Sequence, residues 1–160
     1  MARSHQYETV TEWTGAAGVG TVSYRAYERS YVTRTDGRPD LLGSSDPAFR
    51  GDPSRWNPGL LLVAALSQCH LLQYLHLCAV NGVTVLAYED RASGTMAEDG
   101  NGGGSFTGVE LYPLVTVASA EMAPKAEALH HAAAAKCFIA SSVDFPVIHH
   151  PEIRVAESHG

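Results

Sequence analysis

Charge is in short supply in this chain. Asp, Glu, Lys and Arg together make up 18% of its 160 residues. What charge there is sums to −6 with histidines neutral, which weighs against a nucleic-acid partner, because phosphate backbones are bound by a surplus of Lys and Arg. The arginines gather in the first third, but acidic residues are mixed among them. So low a charge also points to surface hidden in an oligomer. Long apolar runs are missing too. The longest, Leu60–Leu66, falls far short of the ~20 residues of a membrane span, and polar Gln68, Gln73 and His76 follow it. The opening MARSHQYETV lacks the apolar stretch of a signal peptide. These absences predict a cytoplasmic protein with no membrane partner.

Three cysteines are too few for a structural framework, and in the cytoplasm they read as reduced or redox-active thiols. Metal-ligand spacing is absent as well. His130-His131 and His149-His150 are adjacent pairs, and neither HExxH nor CxxC occurs. The glycines of Gly15–Gly20 are followed by neither Lys-Ser, Lys-Thr nor a helix, so they read as a turn and not a phosphate loop. No metal and no cofactor is expected.

What is present suits one compact domain over residues 1–160, with 45% hydrophobic residues to fill a core. Residues 6–14 alternate and are rich in β-formers, as are residues 21–34, so a hairpin or meander is predicted around the glycine turn. Residues 35–58 hold four prolines and three glycines and read as a long punctuated connection. Asn57-Pro58 then supplies an N-cap and a first helical residue, and Asn81-Gly82 a stop. The intervening helix of about 22 residues would span roughly 33 Å. Leu62, Ala65, Leu66, Cys69, Leu72, Gln73 and His76 recur at helical spacing and predict an apolar face that includes Cys69. His70, about 100° round the helix, is expected to face elsewhere.

A strand over 83–88, a weaker continuation to 98 and a strand over 106–117 predict a long hairpin, with Pro113 at an edge or bulge. A second helix is expected over 124–137 and a closing turn and strand over 138–156. The order implies an α+β fold with mainly antiparallel sheet. Cys69 and Cys137 each lie in a helical context, 68 residues apart (137 − 69). If the fold joins them they form a dithiol able to cycle to a disulfide. Cys78 reads as packing.

Four segments carry a resemblance. NPGLLLVAALSQCH (57–70) resembles the NPEELL…AAL…SC segment of the OsmC/Ohr thiol peroxidases, with Cys69 eleven positions after Pro58 as in that family. YEDRASGTMAED (88–99) is similar to the family's hairpin, KCFIASSVDFPV (136–147) to its second-cysteine segment, and WTGAAGVGTVS (13–23) to its first hairpin. The resemblance implies an OsmC-like intertwined homodimer with two long central helices packed against the sheets. It further implies reduction of organic hydroperoxides, with Cys69 as the attacking thiol and Cys137 as the resolving one. A small thiol or dihydrolipoyl-type reductant would supply the electrons.

The chain departs from the pattern at one pair. The family's Glu after NP is Gly59 here, and the first hairpin turn has no Arg. A free thiol has a pKa of about 8.5, so a cation is wanted beside Cys69. Arg25 is the preferred candidate, followed by Arg50, with Arg55 also near in sequence. Gly59 empties space at the helix start, where a substrate could bind. Tyr24, Tyr27, Phe49 and Trp56 read either as a pocket lining or as ordinary packing. Two other functions stay open. One is an OsmC-like scaffold turned to a different thiol-dependent reaction on a small metabolite. The other is a non-enzymatic binder of an apolar ligand.

Overall fold

The computed structural model, which describes residues 2–157, opens its long helix where Asn57-Pro58 predicts. Helix α1 runs Pro58–Val80. Asn57 caps it, its Oδ1 accepting from the Leu60 amide at 2.9 Å, which satisfies one of the amides a helix start leaves unpaired. At the far end the Val83 and Asn81 amides close on the Cys78 carbonyl, and Gly82 takes the positive φ of 74° that an L side chain rarely adopts. The chain forms two compact units, Met1–Leu61 and Leu62–Gly160.

In the N-terminal unit, strands β1 (Val10–Trp13), β2 (Tyr31–Arg34) and β3 (Leu41–Gly43) make an antiparallel sheet in the order β1-β2-β3. The β-rich residues 21–30 do not extend β2. They fold instead around Arg29, whose guanidinium donates to the carbonyls of Tyr24 and Tyr27, both at 2.6 Å, and lies 4.4 and 4.0 Å from the centroids of their rings. Trp13 Nε1 and the Glu28 amide pull the same segment inward, to the Glu28 and Gly15 carbonyls. Gly15 has to be glycine, because a Cβ there would collide with the Glu28 carbonyl. The connection that follows is more ordered than its composition suggests. It includes β3 and a 3-10 turn over Pro47–Phe49 capped by the Asp46 carboxylate.

The C-terminal unit carries the core. The predicted hairpin exists, but it is broken at its middle. Strand β4 (Val85–Asp90) pairs antiparallel with β7 (Pro113–Val117), while β5 (Ser93–Glu98) pairs antiparallel with β6 (Gly104–Leu111) in a separate sheet. Pro113 stands first in β7, where a missing amide costs the ladder least. Two short strands complete the sheets by parallel pairing, β8 (Val147–His149) on β6 and β9 (Glu152–Val155) on β7. The sheets are therefore antiparallel-rich and not uniformly antiparallel. Helix α2 runs Ala123–Lys136 with Pro124 in its first turn and buries Ala126, His130 and Ala133 along one stripe.

Tyr74, Leu77 and Cys78 of α1 pack with Val83, Val115, Val117, Ala126 and Ala133 in one cluster. Leu66, Val109 and Leu111 form another. The face of α1 that is buried runs Leu66, His70, Tyr74, Leu77, at steps of four, four and three. This corrects the predicted face: Leu72 is 66% exposed, and His70, expected to point elsewhere, is fully buried. Because α1 is apolar nearly all round, its pattern does not choose a face, and the aromatic and imidazole bulk of Tyr74 and His70 fills the interior instead.

Candidate active site

Helix α2 ends one residue before Cys137. The Cys137 amide still reaches the Ala134 carbonyl, but its backbone has turned extended, at φ −73° and ψ 114°. The amide and hydroxyl of Ser141 both donate to the Cys137 carbonyl, at 3.0 and 2.9 Å. They anchor a 3-10 turn over Ala140–Ser142, and this turn points the Ala140 amide at Cys137 Sγ, 3.4 Å away. The side chain so held is 1% exposed, and Cys69, from the middle of α1, is near enough to act on the ionisation of its thiol. Cys69 itself is half-buried, and all three cysteines are free thiols. The fold thus brings together the two sulfurs that the sequence singles out. Cys78 is buried in the core cluster as packing.

Burial pushes the Cys137 thiol above its ordinary range, and the neighbouring Cys69 raises it further, against the pull of the Ala140 amide. Cys137 therefore stays protonated at neutral pH. No cation is among the groups that act on it.

An open cleft of about 240 Å³ borders this turn. Ala134, Ala135, Ala140, Phe145 and Val147 give it an apolar lining, and Ser141 and His149 give it two polar groups. Behind lies a cluster of histidines that spacing did not reveal. His70 Nε2 and His130 Nδ1 are 3.0 Å apart, and the His149 ring tilts over His70 at 4.3 Å between centroids. Tyr74 stacks on His130 at 3.8 Å. Burial, with His149 adding to it, holds His70 down to about 3 and His130 to about 4. Burial also lowers His149, with Asp90 pulling the other way. His70 and His130 are therefore neutral in ordinary buffers. Asp90 is itself anchored, accepting from the Ser67 hydroxyl at 2.5 Å and the Tyr112 amide at 2.7 Å. Among the described residues, no group of three His, Cys, Asp or Glu side chains is arranged to hold a metal ion. The signal that would have found the cluster is the step from Leu66 to His70 to Tyr74, a helical stripe in which histidine occupies a core position.

The remaining sequence candidates belong to the N-terminal unit. Arg25 and Arg50 are exposed, as is Tyr24, whose ring carries the Arg29 guanidinium at 4.4 Å and that of Arg50 at 5.9 Å. Arg55 pairs with Asp52 at 3.7 Å. Phe49 and Trp56 are exposed. Gly59 sits in the first turn of α1, which has no acidic residue. Arg29, which the sequence reading passed over, is the arginine the unit folds around.

The family model described as OsmC-like protein matches residues 51–150. A Vibrio cholerae structure, an OsmC-like protein of unknown function, aligns with a TM-score of 0.82 at 28% identity, covering 93% of this chain and 100% of its own. An organic hydroperoxide resistance protein from Legionella pneumophila aligns at 0.67 and 19% identity, covering 95% of this chain and 100% of its own. One from Elizabethkingia anophelis, with thiocyanate bound, aligns at 0.67 and 16%, covering 96% and 100%. The last two share the fold at identities too low to carry more. No curated protein sequence matches the chain.

Proposed function

From the premise that this chain belongs to the OsmC-like family, we propose that it is a cysteine-dependent peroxidase that reduces organic hydroperoxides. The observation that carries this reading is that Cys69 and Cys137, 68 residues apart in the chain (137 − 69), are brought near enough for one to act on the ionisation of the other. The hydroperoxide resistance proteins that share the fold add support.

Cys69, the more accessible sulfur, attacks the distal peroxide oxygen as a thiolate. The O–O bond breaks, Cys69 becomes a sulfenic acid, and the alkoxide takes a proton and leaves as an alcohol. The buried Cys137 thiol then attacks the sulfenic sulfur. An S–S bond forms and the sulfenic oxygen departs as water. Two equivalents of an external thiol, or one dithiol of the dihydrolipoyl kind, restore the pair and carry away the electrons. The apolar cleft beside Ala140 takes the organic substituent of the peroxide. In this reading the protein works in the cytoplasm as a homodimer, with a second copy covering the apolar surface of α1 at Leu72 and Val80, 66% and 65% exposed.

The test is consumption of cumene hydroperoxide with a dithiol reductant. Turnover should vanish in Cys69→Ser. Cys137→Ser should give one turnover, with a sulfenic acid on Cys69 that dimedone traps. A wild-type protein with no turnover on any hydroperoxide defeats the reading. One observation favours a second reading. The first turn of α1 lacks the acidic residue of the family pattern, Gly59 standing in its place, as fits a dithiol turned to another small metabolite. Rapid alkylation of Cys69 without peroxide turnover is its signature.

A further inference from the structure

Beside the sulfur pair, three further contacts tie α1 to α2. His70 Nε2 meets His130 Nδ1 at 3.0 Å. One turn along α1, Tyr74 stacks on His130 and donates its hydroxyl to the Ala126 carbonyl at 3.0 Å. His70 directly follows Cys69, and His130 stands about two helical turns before Cys137. Helix α1, and α2 with the residue that caps its end, therefore each bring one thiol and one imidazole, and like meets like in both cases.

We propose that the His70–His130 hydrogen bond is a positioning device for the dithiol, fixing the register of α2 against α1 so that Cys137 is held at Cys69. The inference rests on the dithiol reading above. Apolar packing alone is a loose ruler, since cores repack around altered side chains with modest losses. A disulfide is far more exacting, with Cβ atoms about 3.5–4.5 Å apart. A buried hydrogen bond supplies that precision, weakening steeply once stretched or bent. Here nothing competes for it. The rings are 0% and 2% exposed, and their other nitrogens, His70 Nδ1 and His130 Nε2, are buried with no partner among the described residues. Among the described residues the shared bond is the only polar satisfaction either ring has, and a slip between the helices would forfeit it.

The atoms involved dictate the test. An asparagine amide sits about where histidine Nδ1 does, and a glutamine amide about where Nε2 does. His130→Asn and His70→Gln therefore preserve the bond, whereas His130→Gln and His70→Asn lose it. The full-length protein and the four variants are equilibrated in glutathione buffers. The reaction converts the two protein thiols and one oxidised glutathione into the protein disulfide and two reduced glutathiones, the thiol protons passing to the glutathione sulfurs. The readout is the effective concentration of the Cys69–Cys137 pair, with folding checked by circular dichroism and Tm. Losing the bond should lower it roughly tenfold, the equivalent of about 1.4 kcal/mol, while the matched variants stay near wild type. Equal values in all five proteins, or a fall in all four variants that follows Tm alone, overturn the inference and leave the peroxidase reading standing. A wild-type protein that forms no Cys69–Cys137 disulfide overturns both.

Discussion

Acid should unfold this protein by way of its buried imidazoles. His70 and His130 are 0% and 2% exposed, and burial holds them to about 3 and about 4 against an ordinary 6.5. A base whose folded pKa is depressed stabilises the fold fully above its unfolded pKa, and that stability drains away as pH falls toward the folded value. The window therefore opens near 6.5 and runs down through about 4 for His130 and on to about 3 for His70. At about 1.4 kcal/mol per pH unit, His130 alone is worth roughly 3 kcal/mol over its span, a large share of a typical domain's 5–15 kcal/mol. The groups facing the pair point the same way. His149 opposes any charge on either ring, Tyr74 offers only its ring face to His130, and Asp90, the nearby carboxylate, acts on His149. Urea unfolding of wild type and of His70→Gln/His130→Asn, measured at half-unit steps from pH 7.5 to 4, isolates the effect. The wild type should lose roughly 6 kcal/mol more than the double variant over this range, about 3 kcal/mol from each imidazole. Parallel curves would show that the imidazoles are not charging on unfolding, and the argument from burial would fail.

Smaller perturbations should be equally specific. Tyr74→Phe removes the bond to the Ala126 carbonyl and should cost about 1 kcal/mol in urea unfolding. Cys78, 1% exposed within the apolar cluster, should tolerate Ala with full peroxidase turnover, whereas Ser, burying a hydroxyl there, should cost about 1–3 kcal/mol. Gly15→Ala, which drives a methyl into the Glu28 carbonyl, should increase limited proteolysis within residues 1–61 and leave the C-terminal unit protected.

The legible parts of this chain were those with local causes. Asn57-Pro58 and Asn81-Gly82 fix the ends of α1 through capping and glycine's freedom at positive φ. The flexible turn Asp99–Gly104 and the alternating run that follows it mark a hairpin, which pairs β5 with β6. What was not legible depended on partners distant in sequence. Residues 21–30 have β propensity, but the Arg29 guanidinium between two tyrosine rings outweighs it. The parallel placements of β8 and β9 involve three and four residues, too few for any periodicity to show. The buried face of α1 is ambiguous because leucines surround it, and only the tertiary structure reveals that His70 takes a core position. The sulfur pair itself came from the resemblance. Spacing alone could have named both cysteines but not joined them.

Gly59 offers a change that should separate stability from chemistry. It lies in the first turn of α1, where amides point outward and no acidic side chain answers the positive end of the helix dipole. Gly59→Glu replaces a poor helix former with a good one, worth about 0.5–1 kcal/mol. It also places a carboxylate at the helix start, worth about 0.3–1 kcal/mol at low salt. The variant should therefore melt a few degrees higher, and the part due to charge should shrink in 1 M salt, where the Debye length falls to about 3 Å. The same substitution restores the acidic residue of the family's pattern. If its loss restrains peroxide reduction, turnover with cumene hydroperoxide should rise along with Tm. A higher Tm with unchanged turnover would mean that this chain reaches its reactivity without that carboxylate. A lower Tm would show that the first turn of α1 has no room for the side chain, and the dipole argument would be wrong for this helix.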